Sequence, residues 1–273
     1  MDVEILPLTS TDLPTVTTFQ PDGWPDITKA YSYYIPASFC NPIKMKVGSK
    51  IIGLGNSIVF DTTAWLSQII ISADYRSQGF GKLMTKYLID LLPARINSVN
   101  LVATDMGYPL YKKLGFNICA EYLIYFHDLS PIKGMESAVT SKDKFMYYDE
   151  SHRFILEDLD YKISGECRSN MLDRQNLMGA KLYIHEDQLI GYSVPNLGDG
   201  LIVSTDVGLG LRLMARQFND KRKLAFPSDN ISAMKFMEQV GIKPFRKAYR
   251  MTLGNLLKPK LEHIYSRIGG NLG

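Results

Sequence analysis

The segment Arg76-Ser77-Gln78-Gly79-Phe80-Gly81-Lys82 is where the residue types and spacing of this chain first permit chemistry. An apolar run from Trp65 to Ile71 leads into it. Leu83, Met84, Tyr87, Leu88, Leu91 and Leu92 lead out at the spacing of one helix face, so the glycines fall at a strand-to-helix turn. The first amides of a helix lack intrahelical acceptors and carry the positive end of its dipole, which makes such a turn an anion site. Glycine at 79 and 81 lets an anion approach the amides, and Arg76 and Lys82 add charge at the rim. A pyrophosphate would suit it. The run lacks the Gly-Lys-Ser/Thr ending of a Walker A loop and the glycine triplet with a distant acid of a dinucleotide fold, so nucleotide hydrolysis and hydride transfer lose ground.

A second piece follows at a distance: Leu110-Tyr111-Lys112-Lys113-Leu114-Gly115-Phe116, with a strand-like run from Val99 to Ala103 between the two. Together, in this order, they resemble the GNAT superfamily of N-acetyltransferases. The resemblance covers roughly the first half of the chain and implies acetyl-CoA as co-substrate. It puts the CoA diphosphate on the turn formed by Arg76, Ser77, Gln78, Gly79, Phe80, Gly81 and Lys82. The pantetheine arm falls on the backbone of Ile69, Ile70 and Ile71, as a false strand where this strand splays from its neighbour. Thr104 stands where the family often has an asparagine; a hydroxyl still hydrogen-bonds, but the two-sided pairing of an amide is lost. The resemblance makes Tyr111 the catalytic acid, because a phenol can protonate or stabilise the thiolate that leaves when an amine attacks a thioester. A tyrosine here could also simply pack its ring beneath the helix.

An amine acceptor must first lose a proton, since a primary amine has a pKa of about 10. The family often supplies a carboxylate from the strand before the loop, yet between Trp65 and Ile71 the polar side chains are Ser67 and Gln68, which can only orient a water. Asp22, Asp26 and Asp105 are the other candidates, each also readable as a turn or capping residue. Five acids (Asp2, Glu4, Asp12, Asp22 and Asp26) precede Lys29, the first cationic side chain. This asymmetry suggests a cationic amine as acceptor, with Asp22 and Asp26 near it, Trp24 as a hydrophobic or cation–π wall, and Trp65 and Gln68 lining the pocket.

Composition sets the frame. The chain has 273 residues, 45% hydrophobic and 22% charged, with a formal net charge of +3. It is long enough for two domains, and neither disorder nor a fibre is indicated. No apolar run approaches the roughly 20 residues that span a bilayer, and Met1-Asp2-Val3-Glu4 lacks the basic start of a signal peptide, so the expected location is cytoplasmic, with no membrane partner. No Lys/Arg cluster interleaves with aromatics, which argues against nucleic acid. Cys40, Cys119, Cys167 and the four histidines show no metal spacing, so no metal is expected.

The elements read as a strand from Val3 to Pro7, helices within about 10–36, a hairpin around Gly48, the strand to Ile71, a helix, the strand from Val99, a short helix to Leu114 and strands to about His127. Pro131, Gly134, Ser137, Ser141, Lys142 and Asp143 then break the pattern. Beyond this break the chain is a fainter copy of its first half. Lys181 to His185 and Leu189 to Val194 form a hairpin, Leu201 to Val203 a strand, and Gly208-Leu209-Gly210 opens a helix. Asn230 and Gly241 echo Thr104 and Gly115 at a constant offset of 126 residues. The fold class expected is α/β, two tandem GNAT-like mixed α/β sheet domains: 1–128 catalytic and acetyl-CoA-binding, 129–145 a connector, 146–273 a divergent second half closing on a strand at Tyr249 to Gly254. The offset pairs Tyr111 with Met237, and the second turn has no counterpart of Arg76, so catalysis is assigned to the first half. The function expected is N-acetylation of a small-molecule primary amine by direct attack in a ternary complex. A non-catalytic acyl-CoA sensor is the alternative.

Overall fold

The computed structural model describes residues 2–128 and 143–273. The first lobe begins with β1 (Val3–Pro7), a short helix α1 (Leu13–Val16) and α2 (Ile27–Tyr34). A meander comes next: β2 (Cys40–Val47), β3 (Lys50–Val59) and β4 (Thr63–Ile71). Then come α3 (Phe80–Asp90), β5 (Ser98–Ala103), α4 (Tyr108–Lys113) and β6 (Asn117–Phe126). The second half runs β7 (Met146–Tyr147), α5 (Arg153–Ser164), β8 (Lys181–His185), β9 (Gln188–Val194), β10 (Leu201–Ser204) and α6 (Val207–Lys221). It ends with β11 (Lys223–Pro227), α7 (Ile231–Gln239), β12 (Arg246–Gly254) and β13 (Ile264–Ser266). Residues 129–142 of the expected connector, with Pro131, Gly134, Ser137, Ser141 and Lys142, lie outside the described residues. Asp143 is described, and Arg212 and Arg216 of α6 hold its carboxylate at 2.7 and 3.0 Å.

The sheets cross the expected division of the chain. An eight-stranded sheet has the order β1-β2-β3-β4-β5-β12-β6-β11, and a five-stranded sheet the order β13-β10-β9-β8-β7. β12, from the second half, lies between β5 and β6 and is antiparallel to both, with Arg250 opposite Val102 on one side and Ala120 on the other. β6, from the first half, in turn pairs with β11, Leu123 opposite Phe226. At the 126-residue offset β5 corresponds to β11 and β6 to β12, so each half donates its last long strand to the other. The lobes 1–128 and 146–273, which we propose on the internal repeat, are a division of sequence and not of sheets.

Side-chain alternation sorts the core into two layers. On one face of the large sheet, α3 buries Phe80, Met84 and Leu88, four residues apart, against Ile52, Leu66, Val99 and Leu101. Burying side chains of this size stabilises by roughly 1.5–3 kcal/mol each. The opposite face carries Trp65, Ile70, Leu54 and Ala120, which pack with Tyr31 and Tyr34 of α2 and with Leu156 and Ile163 of α5. The second half thus covers the face of the first sheet that α3 leaves open. Tyr249 to Gly254 does form a strand, but it does not close the fold: β13 and residues up to Gly273 come after it.

Candidate active site

The turn before α3 has the geometry its sequence implies. Gly79 is the N-cap, at φ +88°, a conformation open to glycine at little cost, and no side chain caps the helix. The first amide of the turn to find an internal acceptor is that of Leu83, on the Gly79 carbonyl at 3.0 Å. The amides of Phe80, Gly81 and Lys82 therefore point outward with no acceptor among the described residues. Arg76, Ser77, Gln78, Gly79 and Lys82 are exposed, whereas the Phe80 ring is buried. Arg76 Nε donates to the Ile71 carbonyl at 3.0 Å and Gln78 Nε2 to the Asp74 carbonyl at 3.0 Å, bonds that staple the turn to the end of β4. Gly81 serves packing instead: a Cβ there would sit 3.3 Å from Leu110 Cδ2 of α4.

Beside this turn the sheet opens. β4 and β5 are parallel and pair only through Thr63 with Ser98, Ala64 with Val99 and Trp65 with Asn100. Beyond Trp65 no strand among the described residues pairs with the edge of β4 that faces β5, along Ile69, Ile70 and Ile71, and Arg76 Nε takes the Ile71 carbonyl. The cause lies on the other edge. Leu54 is opposite Ile70 but Asn56 is opposite Ser67, so β4 carries one extra residue, and Gln68 has φ +54°. A bulge of this kind bends the strand away from its neighbour. The result is a fork whose mouth lies toward the exposed helix start.

Tyr111 is carried in from the end of β5. Thr104 accepts from the Gly107 amide through its hydroxyl at 3.3 Å and ends the strand, and α4 then carries the ring into the core, edge-on to Phe116. Burial pushes the Tyr111 phenol up to about 12. It is a neutral O–H donor across the ordinary pH range.

On the opposite face the structure adds residues that carry no local pattern in the sequence. Glu166, 2% exposed, reaches across from the second half. It accepts from Thr63 Oγ1 at 2.8 Å and from Trp65 Nε1 at 2.9 Å, with Arg250 Nη2 at 3.8 Å. The Arg250 guanidinium lies over the Trp65 ring, 4.8 Å from its centre. Asn56 Nδ2 donates to Ser67 Oγ at 3.2 Å, and Tyr31 OH to the Gln68 carbonyl at 3.2 Å. Gln68 Oε1 and Asn56 Oδ1 are buried acceptors without a donor among the described residues. Trp65 is fully packed, a wall held by Glu166. Asp26 caps α2, accepting from the Thr28 and Lys29 amides at 2.8 and 3.3 Å. Asp22 is exposed in the turn before it, and Trp24 is half-buried against the core. Nothing in the contacts of these three ties them to the fork. A cleft of about 400 Å³ lined by Phe39, Phe60, Arg95 and Asn170 lies at the far end of α3, away from every candidate residue. Among the described residues, no group of three His, Cys, Asp or Glu side chains is placed to hold a metal, and no helix is long and apolar enough to cross a membrane.

The second half repeats the fork and fills it. β13 lies antiparallel to β10, Ile202 opposite Ser266, and the Arg267 amide donates to the Ala225 carbonyl of β11 at 2.9 Å. The gap corresponding to that between β4 and β5 thus holds the chain's own strand. Asn230 Nδ2 donates to the Ile264 carbonyl of that strand at 3.1 Å, while Asn230 Oδ1 caps α7 through the Ala233 amide at 2.9 Å. Asp206 caps α6, accepting from the Leu209 amide at 2.6 Å, and the Tyr265 ring occupies the space that any side chain at Gly210 would need.

The sequence model of the Acetyltransferase (GNAT) family matches residues 10–116, a span that contains the fork, the turn and Tyr111. Among curated proteins, "Uncharacterized N-acetyltransferase YitH" of Bacillus subtilis (strain 168) is 24% identical over 208 residues, 71% of each chain. Among solved structures, one titled a "Putative Acetyltransferase" from Pyrococcus horikoshii superposes over 99% of this chain and 96% of its own, with a TM-score of 0.82 and 18% identity. A tandem GNAT protein from the clavulanic acid biosynthesis pathway superposes over 93% of this chain and 98% of its own, with a TM-score of 0.61 and 14% identity. These likenesses extend the fold over both halves, and the family as a whole uses acetyl-CoA. The first part of the chain thus matches the GNAT acetyltransferase model, and both halves share the fold of the tandem GNAT protein.

Proposed function

We propose that the first fork binds acetyl-CoA and that the protein transfers its acetyl group to the primary amine of a small molecule by direct attack in a ternary complex. The observation that carries this reading is the conjunction of two open backbone surfaces: the edge of β4 from Ile69 to Ile71, which no strand among the described residues pairs, and the uncapped amides of 80–82. An extended pantetheine arm satisfies the first and a diphosphate the second. Arg76, Ser77, Gln78 and Lys82 flank the diphosphate, and Thr104 lies at the end of β5 where the arm passes.

The amine nitrogen bonds to the thioester carbonyl carbon, the C–S bond breaks, and the Tyr111 O–H gives its proton to the leaving sulfur. The attacking nitrogen loses its proton to water. Gln68 Oε1 and Asn56 Oδ1, acceptors that no donor among the described residues satisfies, suit the N–H groups of the incoming amine. The second fork, filled by β13, has no part in binding CoA; its lobe covers the acceptor face of the first. Purified protein with acetyl-CoA and a panel of amines should release free thiol at a rate that depends on the amine, and a crystal grown with CoA should show it in the first fork. Thiol release independent of every amine, or CoA in the second fork, would sink this reading.

A further inference from the structure

Two arginines in the layer between the lobes lack the partners that burial demands. Arg250 is 3% exposed and Arg267 4% exposed, and among the described residues Arg250 Nε, Arg267 Nε and Arg267 Nη1 have no hydrogen-bond acceptor. The hydroxyl of Tyr122, wholly buried, is also without a partner. Most buried polar groups in proteins are paired, and an unpaired buried charge is costly.

These groups share one place. Arg250 stands on β12 opposite Ala120, and Tyr122 stands two residues along β6, on the same face. The Arg267 guanidinium lies over the Tyr122 ring at 4.9 Å, as Arg250 lies over Trp65 at 4.8 Å. Gly273 lies against both the Tyr122 hydroxyl and the Trp65 ring, so the space between these side chains is shared. The charges do not balance. Glu166 faces Arg250 from 3.8 Å but spends its oxygens on Thr63 and Trp65, and Asp199, whose charge acts on Arg267, gives Oδ1 to Lys223 at 2.7 Å. Among these side chains three cations, Arg250, Arg267 and Lys223, face two carboxylates, Glu166 and Asp199, so one positive charge is in excess. Burial lowers the Arg267 pKa, the sign of a cation short of an anion.

The position relative to the fork gives this excess a use. Arg250 is opposite Val102, two residues past the last β4–β5 pair at Asn100, which is about 7 Å along the strand toward the mouth. Gln68 lies on the other arm, β4, and Asn56 on β3 beside it, each with a buried oxygen that no donor among the described residues meets.

We propose that Arg250, Arg267 and the Tyr122 hydroxyl form a carboxylate subsite beside the fork, and that the acceptor is an amine that also carries a carboxylate. The inference rests on acetyl transfer in the first fork and names the class of its acceptor. The amine end meets Gln68 and Asn56, and the carboxylate end meets the guanidiniums. Residues 268–273 lie over the subsite, tied down by a hydrogen bond from Asn271 to the Tyr34 hydroxyl, and must move aside for the acceptor to enter.

The test uses matched pairs: amino-carboxylates of increasing chain length, each against its own carboxamide, with thiol release as the readout. The carboxylate member should have a KM on the order of 30-fold lower than its carboxamide, the scale of a charge-assisted bond. Arg250→Gln should collapse that ratio to about threefold, and Arg250→Lys, which keeps charge but loses the fork-shaped donor set, should fall between. Equal or better turnover of carboxamides or polyamines by the wild type overturns the subsite without touching acetyl transfer. A second readout needs no variant and no turnover: calorimetric titration of the CoA-loaded protein with N-acetylated amino-carboxylates. Binding that an N-acetylated carboxamide fails to match supports the subsite even if no amine is ever acetylated, an outcome that would overturn the transfer reading instead. No difference between the two titrants overturns the subsite.

Discussion

The two forks of this protein are the same device in two states. In the first, β4 and β5 part after Trp65 and Asn100, the helix start is uncapped, and the open edge is available to a ligand. In the second, β13 occupies the gap, Asp206 caps the helix, Tyr265 fills the space above Gly210, and Asn230 bonds the Ile264 carbonyl. In the second fork β13, the Asp206 cap on the Leu209 amide and the Asn230 bond to Ile264 stand where a pantetheine arm and a diphosphate would lie. The comparison teaches what the fork demands: a strand's worth of hydrogen bonds on its inner edge and a negative charge at the helix start. Either a cofactor or the chain itself can supply them. It also explains why the second lobe could lose the counterparts of Arg76 and Tyr111 and still keep its fold.

The largest expected effect concerns Tyr111, the proposed acid, whose counterpart in the second half is Met237. Tyr111→Phe should lower kcat by on the order of 100-fold while the KM for acetyl-CoA moves by no more than about twofold, since the ring keeps its packing against Phe116. Burial also fixes a sign. The phenol is a donor only while protonated, and its pKa is pushed up to about 12, so the acid survives past the point where an ordinary tyrosine, with a pKa of about 10, ionises. The alkaline limb of kcat should therefore stay level through pH 10 and fall only as pH nears 12. A fall centred near pH 10 that Tyr111→Phe abolishes would break the assignment of environment to role.

Next comes a substitution that makes the first helix start resemble the second. Gly79→Asp places at the N-cap a carboxylate like that of Asp206, in a residue type that tolerates the left-handed conformation. It should satisfy the free amides and repel the diphosphate, raising the KM for acetyl-CoA by about 50-fold with little loss of fold stability. Gly79→Asn, which caps without charge, should raise it by only about fivefold. Equal effects of the two would mean that the turn grips by shape and not by charge.

The sequence makes the open fork far easier to see than the filled one. Arg76 to Lys82 and Leu110 to Phe116 are local patterns: a turn needs its glycines, and a helix needs its period, at neighbouring positions. The hairpins β2–β3 and β8–β9 and the 126-residue echo are legible for the same reason. The insertion of β12 between β5 and β6 has no local signature, because pairing Arg250 with Val102 joins residues far apart in the chain and only the finished sheet fixes their register. Glu166 is invisible on the same grounds. A single glutamate after Gly165 reads as solvated until the fold carries it to Trp65 and Thr63. Asp26, conversely, reads as a candidate ligand from its charge alone, and its actual work is to cap α2. The composition of β4 could not reveal its bulge either: Gln68 adopts its positive φ because between Leu54 and Asn56 two residues, Gln68 and Ile69, must fit against one, Gly55.

A smaller effect tests the filled fork. Asn230→Ala removes both the cap on α7 and the tie to β13, and should destabilise the protein by about 1–2 kcal/mol. If, as proposed, only the first fork takes the cofactor, acetyl-CoA kinetics should not change. If Asn230→Ala instead altered the KM for acetyl-CoA, the two forks would be coupled and the second would not be a passive brace. Denaturant midpoints read alongside initial rates separate these cases.

The smallest expected effect is the sharpest on the comparison. Asn230 uses its two ends at once, Oδ1 on the Ala233 amide and Nδ2 on the carbonyl of the strand that fills its fork. Thr104, its counterpart, performs only the first task, accepting from the Gly107 amide at 3.3 Å, because a hydroxyl that accepts there has one donor left and a shorter reach. Thr104→Asn should keep the cap and add an N–H aimed at whatever carbonyl lies along β4 in the first fork. If a pantetheine arm lies there as β13 lies in the second, the variant should lower the KM for acetyl-CoA by about threefold, the worth of one ordinary hydrogen bond partly offset by ordering the longer side chain. The gain should vanish for a truncated acyl donor that lacks the amide carbonyls of the arm, since no acceptor then remains for the new donor. An unchanged KM, or the same gain with the truncated donor, would mean that the arm does not run in the first fork along the path that β13 takes in the second.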